Sequence, residues 1–128
     1  TRSRPYYKND NAHIEQKNWT HIRQFLGYAR FEKPELVEMI NELYETEWRL
    51  LFNYFIPYVK LLDKTREGSK TTKMYDQPRT PYQRLKACPD ISENIKKQLT
   101  LEFVSLNPVK LREAVAQKIK QILKVALP

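Results

Sequence analysis

The sequence predicts a mainly α-helical fold, and three observations support this prediction. Only two glycines occur among 128 residues, which disfavours a β fold with many tight turns. Apolar side chains recur every three or four residues in several stretches, as they do on one face of a helix. Pro34, Pro81 and Pro108 precede such stretches, and proline is tolerated in the first turn of a helix.

The first predicted helix runs from Asn11 to Leu26. Asp10 or Asn11 can cap its start, and Gly27 follows its end, where glycine is common. On a regular helix Glu15 lies in the middle of an apolar arc. The members of this arc are Ala12, Ile14, Trp19, Ile22, Phe25 and Leu26.

The position of Glu15 has two interpretations, because a buried, ionised carboxylate is costly unless a cation, a metal or a proton compensates it. In the first, Glu15 is an edge glutamate that extends to solvent or pairs with a Lys or Arg of a neighbouring segment. In the second, it is a catalytic or metal-binding acid.

Residues 32–63 are predicted to form a long amphipathic helix that begins near Pro34. Its apolar positions keep helical spacing as far as Phe55. Pro57 interrupts the pattern, but apolar residues return from Tyr58 to Leu62, which predicts a kink or short break followed by more helix. Four acids spaced by three and four residues predict one solvated face. They are Glu35, Glu38, Glu42 and Glu45.

Helical periodicity disappears in residues 64–80, which are rich in basic and small polar side chains. The bases are Lys64, Arg66, Lys70, Lys73 and Arg79. This composition predicts an extended or mobile segment with two interpretations. It is a disordered linker with incidental charge, or an arm that follows a phosphate backbone and becomes ordered on binding.

Residues 81–128 are predicted to hold a short helix starting at Pro81 and two further helices. Asp90, with Glu93 three residues later, matches a capping box for the second of these. Asn107 followed by Pro108 marks the start of the last helix. The final two helices are expected to pack as a hairpin.

The formal charge of +8 is unevenly distributed along the chain. Residues 1–31 carry +4, residues 32–63 carry −4, residues 64–88 carry +5 and residues 89–128 carry +3. Basic blocks therefore flank an acidic helix. Such a pattern attracts polyphosphates, or it is a charge excess that keeps the protein in solution.

The sequence also argues against some classes of protein. A single cysteine, Cys88, excludes an internal disulfide and a cysteine-based zinc cluster, and it suits a reducing compartment. No stretch has the length of apolar sequence that a membrane span needs. We therefore expect a cytoplasmic protein without a membrane partner.

The run Asn-Asp-Asn-Ala-His-Ile-Glu-Gln-Lys-Asn-Trp, residues 9–19, resembles the end of the catalytic core of integrase-type transposases from bacterial insertion sequences. These enzymes belong to the Asp-Asp-Glu superfamily, which includes retroviral integrases. The resemblance continues through residues 23–28, 41–44, 60–62, 68–70, 75–76 and 80–84, and so covers most of the chain.

The resemblance implies an RNase H-like core of which this chain carries only the C-terminal helical part and a helical extension. The sheet, with its two catalytic aspartates, is missing. The chain is expected to have four segments: residues 1–31 (end of the catalytic core), 32–63 (long helix), 64–80 (basic linker or arm) and 81–128 (helical hairpin). The chain is then a carboxy-terminal fragment of a polynucleotidyl transferase.

The resemblance also implies roles for individual residues. Glu15 matches the third acid of a carboxylate triad that holds two Mg²⁺ ions during DNA strand transfer, and Asn11 and His13 are candidates to brace it. Lys17 and Arg23 are candidate DNA-binding residues on the same helix. The bases of the following arm are the other candidates: Lys64, Arg66, Lys70, Lys73 and Arg79.

The expected partners are DNA and, in the parent transposase, other copies of the chain. The fragment alone is expected to be inactive and to bind no Mg²⁺ tightly, because one carboxylate is a poor ligand set for this ion. A different class remains open. In this alternative, the chain is an independent basic, helical module that binds DNA or protein through residues 64–88 and the aromatic helix.

Overall fold

The computed structural model describes residues 4–127, which form mainly α-helices and one small two-stranded sheet. This confirms the mainly α prediction. The chain divides into two compact units, one made of residues 1–41 and 116–128 and the other of residues 42–115. The boundaries of these units differ from the four segments that the sequence suggested.

The first unit contains the helical stretch that carries Glu15. It ends at Gly27 as predicted, since this residue adopts a positive φ of 66°, which side chains other than glycine rarely allow. Leu36 and Ile122 are almost completely buried in this unit. The stretch comprises a 3₁₀ turn Lys8–Asn11, α1 Ala12–Asn18, a π-helical turn Trp19–Arg23 and α2 Gln24–Leu26.

The predicted second helix is present, but it is shorter than expected. It comprises α3 Glu35–Leu43, a π-helical turn Tyr44–Trp48 and α4 Arg49–Phe55. Ile56 is extended, with φ −96° and ψ 109°, because a residue before proline avoids the helical region. The prediction of more helix after Pro57 is wrong, and Leu61 instead begins a strand.

The second unit contains an antiparallel β-hairpin where the sequence predicted a linker or arm without regular structure. Strand β1 is Leu61–Glu67 and strand β2 is Lys70–Tyr75. A two-residue loop, Gly68 and Ser69, joins them, and Gly68 has a positive φ of 61°. The Gly68–Ser69 pair is a hairpin signal, and Thr65, Thr71 and Thr72 around it favour strands, although the neighbouring lysines and glutamate do not.

Three helices complete the chain, and two of the predicted starts are confirmed. Thr80 and Gln83 form a capping box at the first of them, and Asn107 accepts hydrogen bonds at the start of the last. The predicted Asp90 cap is wrong, because the middle helix begins one residue after Ser92. The helices are α5 Pro81–Ala87, α6 Glu93–Ser105 and α7 Pro108–Ala126.

The packing of the last two helices as a hairpin stays a prediction. Helix α6 contacts α5, and its Phe103 ring lies 5.4 Å from the ring of Phe55 on α4. An extended residue, Leu106, separates α6 from α7. The apolar residues of α6 are weakly segregated, and Leu101 and Val104 stay exposed. A helix with little amphipathic character has no strong face to place along a neighbour.

The core of the second unit is an aromatic cluster built by α4, α5 and α6. The rings of Tyr82 and Phe103 stack with centroids 4.8 Å apart, and Tyr54 lies 5.3 Å from Tyr82. The hydroxyl of Tyr54 donates to the carboxylate of Glu102, and burial raises the pKa of Tyr54. These contacts fix α5, the helix that follows the β-hairpin.

Among residues 4–127, no helix combines the length and the apolar character that crossing a bilayer requires.

Candidate nucleic-acid interface

The β-hairpin of residues 61–75, which we call the ribbon, is exposed along its whole length. Every residue of β1 and β2 is accessible to solvent, so neither face packs on a core. An isolated two-stranded hairpin is only marginally stable in water. The ribbon is therefore a surface element that needs anchoring at its base and is free to contact a partner.

The two faces of the ribbon differ in charge. Lys64 lies opposite Lys73, and Arg66 lies opposite Thr71. Because side chains alternate along a strand and paired residues share a face, these four side chains form one face, which we call the basic face. It carries three bases and no acid.

The opposite face of the ribbon is mixed in charge. Its only base, Lys70, lies opposite the acid Glu67, and Asp63 lies opposite Met74. Thr65 and Thr72 complete this mixed face. The alternation of side chains along each strand therefore places Lys70 on the face opposite the other three bases of the ribbon.

The pairing of Lys64 with Lys73 on the basic face is unfavourable. Directly opposite residues in an antiparallel sheet have Cβ atoms about 5 Å apart, and like charges at this distance are destabilising. Neither Lys64 nor Lys73 forms an ion pair within the described part of the chain. Arg66 donates from Nε to the carbonyl oxygen of Gly68 at 3.1 Å, which leaves its terminal amino groups available.

The base of the ribbon is attached to α5 by Arg84. The Arg84 guanidinium donates to both carboxylate oxygens of Asp76, at 2.6 and 3.2 Å, and to the carbonyl oxygen of Tyr58 at 2.8 Å. It also lies 4.5 Å from the centroid of the Tyr58 ring. Asp76 in turn accepts from the backbone N–H of Lys60 at 2.6 Å. These contacts join the two segments that flank the strands, both at the base of the ribbon, to helix α5.

This anchor predicts a change at low pH. The hydrogen bonds from Arg84, and then that from the Lys60 backbone, lower the pKa of Asp76 from 3.8 to about 2. A carboxyl group with a lowered pKa stabilises the fold above its unfolded pKa, and this contribution is lost as the pH falls towards the folded value. We expect the ribbon to loosen between about pH 4 and pH 2.

Nuclear magnetic resonance of the Lys60 amide provides the measurement, because this N–H binds the Asp76 carboxylate. Its chemical shift is expected to titrate with a midpoint of about 2. Asp76→Asn should abolish the titration, whereas Asp63→Asn on the mixed face should leave it unchanged. A midpoint near the ordinary aspartate value would contradict the anchor.

Arg79, the fifth predicted base, lies beside this anchor. Its backbone exchanges two hydrogen bonds with Tyr58, at 3.1 and 3.2 Å, and its residue is exposed. The structure therefore groups Arg79 with the base of the ribbon. Arg84, Asp76 and Tyr58 were not predicted as site residues, since pairs this distant in sequence leave no periodic signal.

A second basic surface lies between α5 and α6, at an open cleft of about 520 Å³. Lys96 is paired there with Glu93, at 3.1 Å. The cleft is lined by Lys86, Glu93, Lys96, Lys97, Thr100 and Leu101. The acid in the lining and the pairing of Lys96 make this surface a weaker anion site than the basic face.

Glu15 is not buried among apolar side chains, which agrees with the first interpretation, an edge glutamate that extends to solvent. Glu15 is exposed, and so are Ile14, at 58% of its surface, and Ile22, at 40%. Helix α1 has no buried residue, so no described segment covers the arc that contains Glu15, and the π-helical turn Trp19–Arg23 changes the spacing of the positions that follow it. Such a turn adds about one residue, so later positions are rotated by roughly 100° relative to a regular helix. Leu26, unlike these exposed side chains, is buried.

The other predicted residues of this helix are arranged as follows. Asn11, His13 and Lys17 are exposed, and no hydrogen bond joins Asn11 or His13 to Glu15 among the residues that the structure describes. Arg23 donates from Nη1 to the carbonyl oxygen of Gly27 at 3.2 Å. It closes the end of its own helix, and its role in DNA binding remains a prediction.

The residues that the structure describes do not fit a Mg²⁺ ion by themselves. Within residues 4–127, no group of three or more His, Cys, Asp or Glu side chains could hold a metal. Mg²⁺ requires near-octahedral oxygen ligands, and Glu15 supplies one carboxylate. The assignment of Glu15 as a metal ligand therefore rests on the family resemblance alone.

Comparison with known proteins adds one relative. Over 84 residues the chain is 43% identical to a protein of Sinorhizobium fredii (strain NBRC 101917 / NGR234) named uncharacterized protein y4rM. The aligned stretch is 66% of this chain and 24% of that protein. The chain thus spans about a quarter of the length of the curated relative it matches. No protein-family profile and no solved structure matches the chain.

Proposed function

We propose that the chain is a DNA-contacting part of an integrase-type transposase. The observation that supports DNA contact is the ribbon. Its two strands carry basic side chains, are exposed along their whole length and do not pack on a core. A surface of this kind attracts a polyanion and gains stability when the repulsion between Lys64 and Lys73 is neutralised. The resemblance around Glu15 supports the assignment to a strand-transfer enzyme.

The length of the relative agrees with this proposal. A chain that matches about a quarter of a longer protein is expected to supply part of an activity. In the proposed division of labour, this part holds DNA and contributes the Glu15 carboxylate, while other segments of the enzyme supply the remaining acids.

The experiment measures the affinity of the 128-residue chain for a duplex DNA of mixed sequence at several salt concentrations. We expect the logarithm of the binding constant to fall linearly with the logarithm of the salt concentration, with a slope of about −0.9 for each phosphate neutralised. Replacing all four ribbon bases with Gln should flatten the slope by about 3 units. These bases are Lys64, Arg66, Lys70 and Lys73.

The matched control replaces four exposed bases outside the ribbon. Lys110, Arg112, Lys120 and Lys124 are exposed on α7. Their conversion to Gln changes the net charge equally and should affect the slope much less. Binding that does not depend on salt, or an equal loss in both variants, would refute the proposal for the ribbon.

An independent binding module is the second candidate function, because residues 42–115 have an aromatic core of their own. In that case DNA binding would be the whole activity. The two candidates are separated by substituting Glu15 and measuring strand transfer, as developed in the Discussion.

A further inference from the structure

We infer that the ribbon binds duplex DNA by placing its basic face in the major groove, so that Lys64, Arg66 and Lys73 act while Lys70 does not. This inference rests on the proposed DNA-binding function and specifies the form of DNA and the face of the ribbon. It comes from the register of the two strands, which no periodicity in the sequence revealed.

The dimensions of the ribbon suit this groove. Neighbouring strands lie about 4.8 Å apart, and the major groove of B-form DNA, about 12 Å wide, admits a two-stranded β-ribbon. Every residue of both strands is exposed. The attachment through Arg84 and Asp76 lies at the base of the ribbon, so it leaves the loop end and both faces accessible.

The chemistry of the basic face suits the floor of the groove. Arginine and lysine donate to the O6 and N7 acceptors of guanine, and threonine can bond to a base edge or contact a thymine methyl group. The basic face has two lysines, one arginine and Thr71. We therefore expect guanine-containing sequences to bind more tightly than sequences without guanine.

The charge pattern decides which face is used. The basic face has no acid, whereas the mixed face carries two, Glu67 opposite Lys70 and Asp63 opposite Met74. Turning the mixed face towards DNA would bring two carboxylates close to phosphates or to base acceptors, and like charges repel. The basic face lacks this repulsion, and DNA relieves the unfavourable Lys64–Lys73 pair.

The test compares Lys73→Gln with Lys70→Gln in the full 128-residue chain, since both substitutions remove one lysine from the same strand. At about 0.1 M salt we expect Lys73→Gln to weaken binding to duplex DNA about tenfold and Lys70→Gln less than about twofold. Lys73→Gln removes the like-charge pair, so it should not lower the melting temperature of the chain. Measuring that temperature for both variants excludes a folding defect.

A second comparison uses the shape of the groove. The major groove of an A-form RNA duplex is deep and narrow, and side chains cannot read it. We expect the chain to bind a DNA duplex at least about tenfold more tightly than an RNA duplex of the same sequence. Replacing guanine by 7-deazaguanine removes the N7 acceptor and should weaken DNA binding further.

The outcomes separate this inference from the proposed function. Equal losses for Lys70→Gln and Lys73→Gln, or equal affinity for DNA and RNA duplexes, would overturn the major-groove inference while salt-dependent DNA binding still stood. If neither nucleic acid binds in a salt-dependent way, the proposed function fails and the inference fails with it.

Discussion

Replacing Glu15 by Gln in the proposed parent transposase is expected to reduce DNA strand transfer about a thousandfold, because the proposed role of Glu15 is to hold catalytic metal ions, which contribute several kcal/mol of transition-state stabilisation. A neutral carboxamide is a poorer ligand than a carboxylate for a hard divalent cation. DNA affinity should remain unchanged, since the ribbon and not Glu15 is proposed to hold the DNA.

The control for this prediction is Glu38→Gln, which removes another exposed glutamate, from α3. It should leave both strand transfer and DNA affinity as they are in the parent enzyme. Strand transfer that survives Glu15→Gln would refute the catalytic assignment and favour the independent module. The 128-residue chain on its own is expected to show no strand transfer, whatever residue stands at position 15.

Tyr82→Ala is expected to have the largest effect on stability. Tyr82 is 9% exposed, stacks on Phe103 and shares a hydrogen bond of 3.2 Å with Thr100. Truncating a buried aromatic side chain to alanine lowers the free energy of unfolding by about 3–5 kcal/mol. Because Tyr82 and Arg84 lie on the same helix, the anchor of the ribbon should weaken as well.

Denaturant unfolding of the 128-residue chain measures this effect. Tyr75→Ala is the matched control, because Tyr75 is the same residue type but is 49% exposed at the end of β2. It should change the free energy of unfolding by only about 0.5 kcal/mol. Comparable losses in the two variants would show that the aromatic cluster does not form the core of residues 42–115.

Several predictions based on local signals are confirmed, although the Asp90 cap is not. Gly27 ends its helix with a positive φ, and Asn107 caps the helix that begins at Pro108. Each of these features depends on the conformational preferences of a few adjacent residues. The same holds for the four solvated glutamates of the second helix, all of which are exposed.

Predictions that assumed a uniform helical spacing failed. The π-helical turn Trp19–Arg23 separates the buried Leu26 from the exposed neighbours of Glu15. Where the spacing predicted more helix beyond Pro57, the structure has strand β1 of the ribbon. In both places the chain departs from 3.6 residues per turn, and the apolar pattern alone does not show where the departure occurs.

The amino-acid sequence by itself determined the helical character of this protein, the helix end at Gly27, the helix starts at Pro81 and Pro108 and the clustering of bases between residues 64 and 79, because these depend on composition and short-range preferences. Only the tertiary structure decided that four of those bases lie on a ribbon, that Lys70 is on the other face from Lys73, and that Arg84 attaches the ribbon to α5. The physical reason is that strand pairing and ion pairs join residues far apart in sequence, and their register depends on hydrogen bonds between segments.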